Sequence, residues 1–276
     1  MKSKIKNYYK EYYESIWNKR FHSKNILRNL VHQVEYLSVF KYLNDADKII
    51  LDAGCGEGVF STIAAKKNYN VITFDISVKN VRSAYQYSKR YGVNYLTNYL
   101  IADIENLPFK NRVFDKIICL HVLEHLCGFY KAINEICRTS KSISIIGIPT
   151  NFNLCSWAIL GGGSFYYLYF KAPIHFLKGL LMFIIFINRD GIYENYGNRK
   201  DIYLPHLWYY PWKIKKLLNK TGFRVIRSEA SSIFLPFMTM PIILKLLIKL
   251  NRIKFRKYLN KFGYGTIFIL KKKKED

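Results

Sequence analysis

Residues 48–65 read KIILDAGCGEGVFSTIAA. The apolar run Ile49–Leu51 predicts a short buried strand, and the periodic apolar positions from Val59 predict a helix. Between them fall Gly54, Gly56 and Gly58. Glycines at such a junction let the chain turn tightly and let a ligand approach the main chain closely. Three kinds of ligand compete for the turn. A P-loop needs Gly-Lys-Ser/Thr to hold phosphate and magnesium, and here Gly58 is followed by Val59 and Phe60. A dinucleotide turn places its third glycine one residue later, where Val59 stands, and avoids a carboxylate just ahead of it. What remains is a nucleoside with a cationic amino-acid tail and no phosphate, whose ammonium Asp52 would suit.

The rest of the chain supplies matching carboxylates. NVITFD (70–75) reads as a second strand, with Ser77 as the N-cap of the helix after it. A third strand around LTNYLIAD ends at Asp103, FDKIICL (114–120) is a fourth, and SISIIGIP (142–149) a fifth. HVLEHLCGFYKAINEIC (121–137) reads as the helix between the last two, and residues 24–42 as an earlier helix presenting Leu27, Leu30, Val31, Val34, Leu37 and Phe40 on one face. Alternation of this kind predicts a parallel, doubly wound sheet, whose ligands bind at the carboxyl ends of the strands. Asp75 there would hold ribose hydroxyls, and Asp103, with the backbone of Ile104, an adenine amino group. Asp115, opening the fourth strand, is read as structural.

LDAGCGEG, FDIS, ADIENLPF and FDKIICLHVLEHL resemble the successive motifs of class I S-adenosylmethionine-dependent methyltransferases. The flavour is that of the ubiquinone/menaquinone-biosynthesis-like group carrying a VLEHL segment. The resemblance covers roughly residues 45–150 and the later PHLWYYPWKIKKLLNKTGFRV. It implies a Rossmann-like α/β fold with helices on both faces of a seven-stranded sheet, mostly parallel with a last antiparallel strand. That strand, YGTIFILKKK, would lie beside a sixth, FRVIRSEA. The expected cofactor contacts are Asp52, Gly54, Gly56, Gly58, Asp75, Ile76, Asp103, Ile104 and Leu120. An N-terminal helical segment (1–45) would precede the methyltransferase domain (46–276), with insertions on the acceptor side at 150–205 and 232–262.

Methyl transfer from a sulfonium is an in-line displacement, so the protein's main task is positioning. A hydroxyl acceptor also needs a base. His121, Glu124 and His125 lie three and four residues apart and would share one helical face, while His206 in LPHLWYY could reach the same pocket. His121 or His206 is the expected base. The alternatives are a divalent metal held by these four residues, as in small-RNA 3′-end methyltransferases and some quinone methyltransferases, or simple packing. Those families carry glutamate where His121 stands, so a metal is not the favoured reading.

Half of the 276 residues are apolar, which excludes a disordered chain. The five cysteines form no CxxC pair, and the basic, aromatic N-terminus has no apolar leader core, so a cytoplasmic protein with reduced thiols is expected. The net charge of +25 suits an anionic partner, nucleic acid or a lipid surface, or reflects a composition with lysines spread along the whole chain. The run LLMFIIFI (180–187) is too short to cross a bilayer. In the second insertion Pro241 would open a helix with Lys245, Lys249, Arg252 and Arg256 along one stripe and Ile243, Leu246, Leu247 and Leu250 roughly opposite. Such a helix fits an anionic membrane surface, or caps the pocket with its lysines in solvent. The expected activity is O-methylation of a small or amphipathic acceptor: a quinone, an isoprenoid lipid or a lipid-linked sugar. RNA methylation on the basic surface is an alternative, although long aliphatics rather than stacking aromatics interleave the basic residues. A non-catalytic, membrane-docked cofactor binder is another.

Overall fold

A computed structural model of the protein describes residues 2–11, 24–44, 46–195, 205–238, 240–251 and 258–273. Strands β1 (Ile49–Ala53), β2 (Asn70–Asp75), β3 (Thr97–Ile101), β4 (Phe114–Leu120) and β5 (Ser140–Pro149) pair in parallel in the order β3-β2-β1-β4-β5. β9 (Gly265–Lys272) then inserts antiparallel between β5 and β8 (Phe223–Ala230), completing a seven-stranded sheet. The expected Rossmann-like class I methyltransferase fold is therefore present, down to its antiparallel last strand.

Apolar strand positions explain the layers. On one face α5 (Phe129–Thr139) and α8 (Pro211–Asn219) bury Ile133, Ile136, Ile214 and Leu218 against Ile117, Ile146 and Phe268. On the other, α2 (Ile26–Phe40) and α3 (Val59–Lys66) bury Val39, Phe60 and Ala64 against Ile50, Ile118 and Ile145. Ser77 caps α4 (Val78–Arg90), its side chain accepting from the Asn80 amide, as expected. α1 (Lys2–Glu11) lies apart in sequence from this core. Asp115 is structural: its carboxylate accepts from the Lys48 and Ile49 amides and from the Lys141 ammonium, locking the start of β1 to β4.

Two readings need correction. Residues 121–137 are not one helix. His121 takes a left-handed backbone (φ 56°), Leu123–His125 make a single tight 3₁₀ turn, and α5 starts only at Phe129. Glu105 is wedged against Gly128, where a Cβ would come within 2.4 Å of its Oε1, so the chain breaks there to admit that side chain. Second, the buried face of α2 is rotated from the one expected. Leu37 is exposed, whereas Glu35 and Ser38 are buried beside Leu27 and Val31. The first insertion forms a helix pair, α6 (Leu154–Leu160) and α7 (Ala172–Ile185), followed by an antiparallel ribbon of β6 (Gly191–Asn195) and β7 (Pro205–Tyr209). Pro241 opens α9 (Pro241–Leu250) as expected; Arg252 and Arg256 lie outside the described residues.

Candidate active site

The glycine turn is built as its composition demands. Gly54, Gly56 and Gly58 have φ of 77°, 53° and 71°, the left-handed region that side chains disfavour. A Cβ on Gly54 would stand 2.4 Å from Val122 Cγ2, and one on Gly58 2.6 Å from the Ala84 Cβ. The first glycine thus admits the chain that follows β4, and the third seats α3 on α4. Gly54 and Cys55 amides donate to the Phe74 carbonyl, which ties the turn to β2.

A cavity of about 340 Å³ opens at the carboxyl ends of the strands. At its cofactor end it is lined by Gly54, Gly56, Asp75, Ile76, Asp103, Ile104 and Leu120. Asp75 is fixed by the Gly56 amide on Oδ2 (2.9 Å) and by the Ser77 amide and Asn80 Nδ2 on Oδ1 (2.9 and 3.2 Å). Burial raises its pKa and these bonds offset only part of the rise. Asp103 accepts from the Glu105 amide on Oδ1 and from Lys6 Nζ on Oδ2 (2.6 Å). Asp52 and Gly58 are placed differently from expectation, since neither belongs to the cavity wall. Asp52 lies beneath the turn, where burial pushes its carboxyl up to about 7 against bonds from Ser61 and Thr73.

The acceptor end brings together side chains from four separate segments. His121 is held between two buried carboxylates, with Nε2 2.6 Å from Glu35 Oε2 and Nδ1 3.2 Å from Glu124 Oε1. Burial alone would lower its pKa. The charge of Glu35 and the bonds to both carboxylates outweigh burial and raise it to about 10. Glu124 shows the reciprocal effect: burial works against its charge, but the bond from His121 and the fields of three histidines bring it down to about 2. At neutral pH His121 is thus an imidazolium with no lone pair to take a proton, which departs from the base expected of it. His206 Nε2 lies 3.9 Å from Glu124 Oε1, and its Nδ1 3.4 Å from Glu194 Oε2, which also accepts from Trp208 Nε1 (2.6 Å). The His125 ring stands 4.9 Å from that of His206, and its Nδ1 3.0 Å from the Tyr9 hydroxyl.

Glu35, Glu194, Lys6 and Tyr9 all line or brace this site without having been singled out in the sequence. Glu35 carried a signal, as an acid four residues after Val31 on a helix whose apolar face is buried. Glu194 and Tyr9 carried none, because only the ribbon and α1 bring them near His206 and His125.

Glu124, His125 and His206 each offer a ligand atom within 4.8 Å of the others. Glu124 Oε2 is buried with no hydrogen-bond partner among the described residues. One carboxylate and two imidazoles make a donor set suited to a divalent cation. The residues present therefore fit a metal, although the histidines also have protein partners.

Residues 51–146 match the family described as "Methyltransferase domain". An uncharacterized protein of Methanocaldococcus jannaschii is 35% identical over 118 residues, 43% of this chain and 47% of that protein. A ubiquinone biosynthesis O-methyltransferase of Rickettsia canadensis is 34% identical over 132 residues, 47% of this chain and 55% of that protein. The chain thus spans about half the length of these curated relatives. Among solved structures, magnesium protoporphyrin IX methyltransferase from Synechocystis PCC 6803 aligns over 98% of this chain and 99% of its own, with a TM-score of 0.59 and 18% identity. A methyltransferase structure from Methanosarcina mazei aligns over 86% and 98%, with a TM-score of 0.57 and 17% identity. At these identities the structures speak for the fold alone. Residues 51–146 thus resemble a methyltransferase domain, and they lie within a seven-stranded Rossmann-like sheet of the class I methyltransferase kind whose carboxyl edge opens on a cavity suited to S-adenosylmethionine.

Proposed function

We propose that the protein transfers the methyl group of S-adenosylmethionine to a hydroxyl of a small or amphipathic acceptor. The observation that carries this reading is a single cavity joining Asp75 and Asp103 at one end to His206 and Glu124 at the other. Asp75 would hold the ribose and Asp103 the adenine amino group. Tyr36, Tyr166, Trp208 and Tyr264 give the acceptor end aromatic walls suited to a flat or greasy substrate. The Glu194 carboxylate, 3.4 Å from Nδ1, would draw the ring proton to that nitrogen, so Nε2 takes the acceptor proton as the oxygen–methyl bond forms and the sulfur–methyl bond breaks, releasing S-adenosylhomocysteine. His121, charged and clamped between Glu35 and Glu124, positions Glu124 at this end. The likeness to a relative named as an O-methyltransferase supports oxygen as the acceptor atom.

Methyl-labelled S-adenosylmethionine incubated with the protein and an extract of its source cells tests the reading. Label is expected in the organic-soluble fraction, and His206→Ala should reduce it by about 10²–10⁴-fold while S-adenosylhomocysteine still binds. Label in RNA would overturn the acceptor class, and undiminished transfer by the variant would overturn the base.

The partnerless Glu124 Oε2 favours a second reading. Glu124, His125 and His206 would hold a divalent cation, which as a Lewis acid would polarise the acceptor oxygen. A rise in melting temperature of chelator-treated protein on adding Mn²⁺ or Zn²⁺, lost in Glu124→Gln, would support it. No shift with either ion would leave His206 as the base.

A further inference from the structure

The first insertion carries a surface that methyl transfer does not use. Along α7, Ile174, Leu177, Leu181, Ile184 and Ile185 are all exposed, the last by 68%, at spacings that put them on one side of the helix. The turn leading into the helix adds Leu168, and Phe170 is 94% exposed. Scattered exposed leucines are ordinary, but a contiguous apolar stripe of this length marks a contact surface.

Its charge indicates the occupant. Lys171 and Lys178 are exposed on or beside the stripe, and Arg189, stacked on Phe186, follows its end. No aspartate or glutamate occurs from residue 136 to residue 189. A second copy of the chain would bring Lys171 and Lys178 against their own equivalents in a twofold contact with no acid to pair them. An anionic bilayer surface accepts both features, the aliphatics into the acyl boundary and the lysines among the headgroups. No helix among the described residues is long and apolar enough to cross a membrane.

The stripe is also held firmly and close to the cavity. A Cβ on Gly161 would lie 1.6 Å from the His175 carbonyl oxygen, and one on Gly179 1.8 Å from the Trp157 carbonyl oxygen, so α6 and α7 cross in backbone contact. Ile159 of α6 and Tyr166, just before the exposed turn, line the cavity. The basic helix α9, by contrast, turns four of its apolar residues inward: Leu244 and Leu247 are buried and Ile243 and Leu250 pack beside them, leaving Ile242, Leu246 and Ile248 outside, interrupted by Lys245 and Lys249. The docking role expected of its Ile243–Leu250 face therefore passes to α7.

We propose that the 168–185 face docks the protein on an anionic lipid bilayer, placing the cavity mouth beside the membrane surface. The proposal stands apart from the identity of the acceptor. Co-sedimentation of the full chain with phosphatidylcholine vesicles, with and without phosphatidylglycerol, tests it. Binding to the phosphatidylglycerol vesicles is expected to be stronger by about ten-fold or more, and to weaken with salt. Leu177→Glu/Leu181→Glu should lower it by about ten-fold or more with S-adenosylhomocysteine affinity unchanged, since both side chains already face solvent. Lys178→Glu should lower it by a smaller factor. Undiminished binding by the double variant, equal binding to both vesicle types, or loss only on changing Lys245 and Leu246 would overturn the proposal. So would a dimer in solution that the double variant dissociates in the absence of any vesicle binding.

Discussion

Glu35 reaches His121 from a helix that precedes the sheet, and the pair decides what the acceptor end can do. An imidazole between two buried carboxylates keeps its proton, and His121 is held up to about 10 against an ordinary value of 6.5. The sign of the linkage follows. A group whose folded pKa is raised contributes stability that is whole below its unfolded pKa and is lost as pH rises through the folded one. His121 should therefore stabilise the fold fully below about pH 6.5, and that contribution should fall away by about pH 10, with a limiting slope of about 1.4 kcal/mol per pH unit. Glu35→Gln removes the charge that Nε2 faces, so its melting temperature should decline less steeply over that range than that of the unaltered protein. Parallel thermal melts across the interval check this, and equal slopes would show that Glu35 is not what holds the proton. Glu35 was legible only as an oddity, a carboxylate where the helix face is buried. Reading it as a partner of His121 needed the fold, because 86 residues separate them.

Among the elements, α1 bears most directly on cofactor entry. Its Ile5 is buried, its Lys6 bonds to Asp103 (2.6 Å) and Glu105 (2.8 Å), and its Tyr9 meets His125. The Lys6 ammonium thereby occupies the carboxylate assigned to the adenine amino group. A partly exposed ion pair of this kind contributes ~0.2–1 kcal/mol, so freeing Asp103 by Lys6→Ala should tighten S-adenosylhomocysteine binding by up to about five-fold. Isothermal titration measures it, and weaker binding by the variant would place Lys6 in the bound state instead. The strands of the sheet were legible because each is a short apolar run bounded by polar or glycine residues. The stretch from His121 to Gly128 was not, since its helical spacing of histidine and glutamate is the same whether the chain makes one helix or a left-handed residue and a 3₁₀ turn. The β6–β7 ribbon was equally hidden, because the link between its strands (196–204) is too long for the two-residue turn that marks a hairpin, and the pairing shows only when the ribbon is folded against β5.

Across the molecule, the strand order sets Gly54, Asp75, Asp103 and Leu120 along one sheet edge, and this half of the site could be read from the sequence because each residue follows its own strand. The other half is assembled from α1, α2, the turn after β4 and the ribbon, which no local pattern joins. The described part of the first 45 residues is therefore bound to the sheet, α2 as part of its core layer. Leu27, Val31 and Val39 are buried to 1% or less, and at ~1.5–3 kcal/mol for each such side chain they represent a large share of a typical net stability of ~5–15 kcal/mol. Lys41 also pairs with the fully buried Glu229 of β8, whose other oxygen lies 2.7 Å from Arg227 Nε, so losing Lys41 leaves this buried carboxylate with one cation in place of two. A chain lacking residues 1–45 should accordingly lose its cooperative melt and its near-ultraviolet circular dichroism, whereas one lacking only residues 1–11 should keep both. Adding Glu229→Gln to the longer truncation removes the carboxylate that has lost Lys41 but leaves the α2-facing surface of the sheet uncovered, so it should restore only part of the melt. Full recovery in that variant would make the Lys41–Glu229 pair the whole of the attachment, and a cooperative melt for the longer truncation alone would show that the sheet folds without α2.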